Sequence, residues 1–157
     1  MAKPLRPRPG ARRRPSPAAA PSLPKAVADE VRRTTAPTSA DAALARLARA
    51  TELLERGDAP GAAREAAKAK SLAPRSASVR EILGLALYGE ERWQDALSEM
   101  KAYRRLSGRP DQNHIIADCL RGLGRPAEVV PLAEEALRGR IPNEGTSERS
   151  TRRSEIR

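Results

Sequence analysis

Residues Ser76–Ser107 read SASVREILGLALYGEERWQDALSEMKAYRRLS, and their apolar side chains recur at helical spacing in two bursts. Ile82, Leu83 and Leu87 form the first; Trp93, Ala96, Leu97, Met100 and Tyr103 form the second, and Gly89-Glu-Glu-Arg92 interrupts the period between them. Two amphipathic helices joined by a short turn must pack antiparallel to hide such stripes. Gly84 in the first and Ala96 in the second are small enough to let the two backbones approach at a contact point. Such a unit cannot bury its outer face alone, so its recurrence decides the architecture.

It recurs. Ala77–Pro110 aligns with Ala43–Ser76 at a period of 34, and with the stretch that begins at Pro110 at a period of 33. Gly57, Glu91 and Gly124 fall at the turn. Ala50, Gly84 and Ala117 align in the leading helices, as do Leu53, Leu87 and Leu120. In the trailing helices Ala62, Ala96 and Val129 align, then Ala66, Met100 and Ala133, then Ala69, Tyr103 and Ala136. From Asp41 to Leu137 this pattern resembles the tetratricopeptide repeat, a 34-residue helix–turn–helix unit with small and apolar residues at these places. The middle unit matches best. The first carries Arg49 where the family prefers an aliphatic, the third carries Val129 where the family usually has Ala, and Ile141-Pro142 displaces the terminal proline by one place.

The formal net charge is +10, and it is unevenly spread. Residues 1–37 hold nine Lys or Arg against two Asp or Glu, and residues 138–157 hold six against three; the middle holds fifteen of each. The excess charge therefore belongs to the ends, which argues against nucleic-acid binding by the helical surface itself. The single cysteine, Cys119, excludes an intramolecular disulfide and suits a reducing compartment. No apolar run approaches a membrane span of roughly 18 residues. The basic N-terminus is followed by the short Ala18–Leu23 run, split by Pro21, so no secretion core is expected and a cytoplasmic protein is. Abundant Arg and Ala have the flavour of a high-G+C bacterial genome.

Residues 1–22 are Pro- and Arg-rich and are expected to be disordered or extended. Leu23, Val27 and Val31 are spaced i, i+4, i+8, which predicts a short helix over Leu23–Arg33 with Pro24 in its first turn. Thr34–Ser39 reads as a linker, with Thr38 or Ser39 as the N-cap of the next helix. The three pairs are expected over 40–56 and 59–72, 77–89 and 92–107, and 110–122 and 125–138; Asp58 caps, and Pro60, Pro110 and Pro126 lie in first turns. The repeat units themselves fall near 43–76, 77–109 and 110–142, within a domain over 38–138. Residues 139–157 are polar and are expected to be disordered. Val129, Val130, Leu132, Ala133 and Leu137 in the last helix then lack a cover, which a partner, self-association or a shortened array would account for.

No catalytic constellation is present, and an enzyme is not expected. His114 has Asp111 and Asp118 on its helix face, too few ligands for a metal site, and reads as part of a solvated face. Cys119 reads as a small buried hydrophobe. Gly122-x-Gly124 reads as a helix stop and turn rather than a phosphate loop, since no strand precedes it. Trp93 reads as core. No cofactor or metal is expected.

The resemblance implies a concave groove lined by the leading helices. Its positions are Leu44, Leu47, Thr51 and Leu54 in the first, Glu81, Leu85 and Tyr88 in the second, and Asp111, His114, Asp118 and Arg121 in the third. Of these only Arg121 is basic, so the family's clamp for a terminal carboxylate is not implied, and an apolar or basic helical segment is the expected ligand. Internal packing or solvation is the alternative for these residues. The tail residues Arg6, Arg8, Arg12, Arg13 and Arg14 would neutralise phosphates of nucleic acid or an anionic surface without base stacking, since prolines rather than aromatics interleave them; a solubilising tail is the alternative. The expectation is an all-α tetratricopeptide-like solenoid of about three repeats acting as a non-enzymatic interaction adaptor, with a nucleic-acid-associated protein as the rival.

Overall fold

The computed structural model describes residues 22–138, which form an all-α arrangement of seven helices. They are α1 (Lys25–Thr34), α2 (Pro37–Glu55), α3 (Ala59–Leu72), α4 (Ala77–Gly89), α5 (Trp93–Ser107), α6 (Asn113–Gly122) and α7 (Val129–Arg138), with a single 3-10 turn, Pro126–Glu128, before the last. From α2 onward each helix packs against the next, and the leading helices α2, α4 and α6 also touch in sequence. This ordering is consistent with a helical repeat.

The turn that closes each leading helix has one geometry, used three times. Gly57, Glu91 and Gly124 have φ of +80°, +58° and +70°. Around them Asp58 N donates to Leu53 O at 2.9 Å, Arg92 N to Leu87 O at 3.0 Å and Arg125 N to Leu120 O at 2.8 Å. The inner bonds repeat as well: Gly57 N to Leu54 O, Glu91 N to Tyr88 O and Gly124 N to Arg121 O, at 3.0, 2.9 and 3.0 Å. These are the two bonds by which a left-handed residue satisfies the last carbonyls of a helix. The positions are those aligned by the 34- and 33-residue periods.

The main core joins the end of α2 to α3, α4, α5 and α6. Ala50, Ala62, Ala66, Ala96, Met100 and Cys119 are fully buried there, with Leu97, Ile116 and Leu120 almost so. Gly84 and Gly122 are the close contacts. A Cβ at Gly84 would stand 2.8 Å from Met100 Cε, and one at Gly122 would stand 2.8–2.9 Å from the Trp93 ring. Gly122 thus serves Trp93 packing, and Gly124 alone makes the turn. Trp93 itself is only half-buried, at the edge of this core. A buried carboxylate, Glu99 on α5, ties three helices together by accepting from Lys70 of α3 at 2.5 Å and Arg80 of α4 at 2.8 Å.

Four boundaries differ from expectation. α1 starts at Lys25, so Leu23 precedes it and Pro24 is its N-cap rather than part of its first turn. The connection from α1 to α2 is Thr35–Ala36 alone, because Pro37, with φ already fixed for a helix, starts α2; neither Thr38 nor Ser39 is its N-cap. The third pair starts at Asn113 rather than Pro110, which stays in a turn whose carbonyl accepts from Asn113 N at 3.0 Å. Asp111 in that turn is held outside the helix by the Tyr103 hydroxyl at 2.8 Å. The last helix is not continuous over 125–138: Pro131 has no N–H to return to Ala127, so a 3-10 turn precedes α7. Asp58 caps as expected, accepting from Gly61 N at 2.9 Å.

No residue of α7 is buried, and Val130 and Leu137 are 56% and 62% exposed. Val129 and Leu132 pack partly against the main core, and Glu135 pairs with Arg104.

Candidate functional site

The face built by α2, α4 and α6 already carries a helix. α1 packs on α2 and α4 and on neither of their trailing partners, so it lies across the leading helices of two pairs rather than over the end of the first. Its stripe decides how it lies. Val31 is fully buried with Ala43 and Leu47 of α2 and Val79 of α4, and Leu23, Val27, Leu44 and Ile82 flank them half-buried. Burying a side chain such as Val31 stabilises by about 1.5–3 kcal/mol, an upper range before the ordering of ten residues is set against it.

The polar anchor is Glu30. Its carboxylate accepts from Ser76 Oγ at 2.7 Å, from Ala77 N at 2.9 Å and from Ser78 N at 3.4 Å. Ser76 Oγ in turn accepts from Val79 N at 3.2 Å. The N-terminus of α4, with its unpaired N–H groups and positive dipole end, is therefore capped by its own serine and by a carboxylate from another helix. Arg32 of α1 stands 3.6 Å from Asp41 of α2, with both side chains exposed.

The groove candidates fall into distinct settings. Leu47 is fully buried and Leu44 half-buried, both in the cluster beneath α1. Leu54 is turned into the main core, and Thr51 donates to the Leu47 carbonyl at 3.0 Å. Further along the face, Glu81 accepts from Gln112 Nε2 at 2.6 Å. Tyr88 donates to Asp118 at 3.2 Å and meets the Trp93 ring edge-on at 5.5 Å. Burial, then the Asp118 carboxylate, pushes the Tyr88 hydroxyl pKa up. Asp118 also receives Arg121 at 2.7 Å, and Leu85 is half-buried beside them. His114 is exposed, with Nδ1 at 3.1 Å from the Asp111 carbonyl. The face thus brings Glu81, Leu85, Tyr88 and Asp118 together across α4 and α6, and leaves His114 apart.

Cys119 is fully buried, and burial pushes its thiol pKa up, which keeps it protonated. Among the described residues no cluster of three or more His, Cys, Asp or Glu could hold a metal ion, and no helix is long and apolar enough to cross a membrane. Arg6, Arg8, Arg12, Arg13 and Arg14 lie outside the described residues. What such an arrangement does chemically is hold a helix, by apolar burial and by capping at α4.

Glu30 was not legible as a site residue, because its partners lie 46–48 positions downstream and no local spacing links them. The same holds for Glu99 with Lys70 and Arg80. A scan against protein-family models matched none, and searches of curated proteins and of solved structures found no significant match.

Proposed function

We propose that this chain is a tetratricopeptide-like, non-enzymatic adaptor that binds an amphipathic helical segment along the face of its leading helices. The observation that carries the reading is α1 itself, a helix seated on that face with Val31 fully buried. α1 is of the ligand class expected from the sequence: an aliphatic stripe on a helix whose three basic residues, Lys25, Arg32 and Arg33, outnumber Asp29 and Glu30. The thrice-repeated turn supports the repeat architecture on which such a face depends.

An array of synthetic helical peptides that vary in stripe and charge, probed with the full chain over a range of salt, tests this. Binding that follows the i, i+4, i+8 aliphatics and changes little with salt supports it. Binding only to polyanions, weakening steeply with log salt, would instead favour the arginine-rich tail and a nucleic-acid-associated role.

A further inference from the structure

We propose that the face formed by α2 and α4 takes a helix of a partner protein with the chemistry that α1 displays, aliphatics at i, i+4 and i+8 with a carboxylate one residue before the last. In the resting chain α1 keeps that place. The proposal rests on the helix-binding reading above, and adds the chemical class of the ligand and the control of access to it.

The docking has an apolar and a polar component: half-buried Leu23 and Val27 lead to the fully buried Val31, and Glu30 stands beside Val31. Val31 is buried in one cluster with Leu47 and Val79, and the neighbouring Glu30 accepts from Ser76 Oγ and Ala77 N. A competing helix with a carboxylate at that position replaces both contacts at once. One with an amide there offers a single acceptor oxygen and leaves one of the two donors unpaired, and one with a cation leaves both unpaired, which discriminates against each.

The hold of α1 is slight. It contributes one buried residue, against six each from α4 and α5. It joins α2 through two residues in extended conformation. Thr35 Oγ1 in that junction is buried with no hydrogen-bond partner among the described residues, a desolvation cost that release relieves.

The fit of α1 is also incomplete. Beside it runs a cleft of about 470 Å³, bordered by Val27, Glu30, Glu81, Tyr103, Leu106 and Arg109. A partner helix with a larger apolar side chain at the Val27 position enters that space, which α1 leaves open.

The test uses a fluorescein-labelled peptide with the sequence of residues 22–35, read by anisotropy against the full chain and its Val31→Asp variant. Val31→Asp releases α1 in cis, so the variant is expected to bind the peptide about tenfold or more tighter than the unaltered chain. Glu30→Gln within the peptide is expected to weaken binding about tenfold, and Val27→Phe within it to strengthen binding. Should Val31→Asp lower the helical circular dichroism, Glu30→Gln in the chain serves in its place, since it keeps side-chain size. A folded variant that binds the peptide no better than the unaltered chain overturns the control by α1. Equal binding of the Glu30→Gln peptide overturns the ligand class. Either failure leaves the broader reading standing if other helices on the array still bind. Sedimentation of the unaltered chain as a dimer that Val31→Asp makes monomeric would name a second copy as the occupant and also overturn the proposal.

Discussion

Gly84 shows how little room single positions have here. With Met100 Cε 2.8 Å and Cγ 3.1 Å from the place of a Cβ, Gly84→Leu forces the central pair apart and is expected to cost about 1–3 kcal/mol. Thermal unfolding measures it, and an unshifted melt would place Gly84 outside the crossing. Glu91 is the converse case. It holds the left-handed position that glycine holds in the other two turns, at a conformational cost of about 1–2 kcal/mol. Glu91→Gly is expected to stabilise by about 0.5–1 kcal/mol once the greater freedom of the unfolded chain is deducted, and a lower melting temperature would contradict this. At Tyr103, burial first and then the Asp111 carboxylate push the hydroxyl pKa from 10.0 up to about 12. The folded state thus keeps its proton where the unfolded state loses it. The resulting stability is intact below pH 10 and is lost as pH rises from there through about 12. Tyr103→Phe should flatten the alkaline fall in melting temperature over that window, and an unchanged slope would assign the fall to other groups.

Among the elements, the helices whose ends are set locally were the most legible. α3 and α4 run as expected, because Asp58 caps three residues ahead, Ser76 caps α4 and the turn residues recur at fixed spacing. Boundaries failed where a proline or a distant partner decided them: Pro37 starts α2, Pro131 splits the last helix, and the Tyr103–Asp111 bond delays α6. The placement of α1 was only half legible. Its Leu23, Val27 and Val31 stripe marked a short amphipathic helix, while the place where it packs, across α2 and α4, is set with Glu30, whose partners lie more than a repeat away. At the other end of the array α7 has no fully buried residue and packs only through half-buried Val129 and Leu132, so it contributes little to the cooperative unit. Val130→Glu is accordingly expected to change stability by no more than about 0.5 kcal/mol, whereas Leu120→Ala in the core should cost about 2–5 kcal/mol. Denaturant midpoints for the two variants check this, and equal losses would mean that α7 is packed in solution.

At the scale of the whole array, the period of the sequence was sufficient to order the helices, because among the described residues the helix contacts from α2 onward lie within or between neighbouring pairs. The candidate site was less legible. Leu44 and Leu47 were marked as ligand contacts, yet they lie beneath a segment of the same chain. Deleting residues 1–36 should therefore expose Leu47 and Val79, lower the melting temperature and raise affinity for the 22–35 peptide; unchanged melting and binding would sink the account. Whether α1 is a displaceable occupant of the α2–α4 face is read from hydrogen exchange of the full chain. α1 amides are expected to exchange through a local opening, well before those in the body of α4 and α5, and Glu30→Gln is expected to speed α1 together with Ala77 and Ser78, whose N–H groups Glu30 caps, but not the rest of α4 or α5. Protection of α1 equal to that of α4 and α5, unaffected by Glu30→Gln, would contradict a displaceable α1.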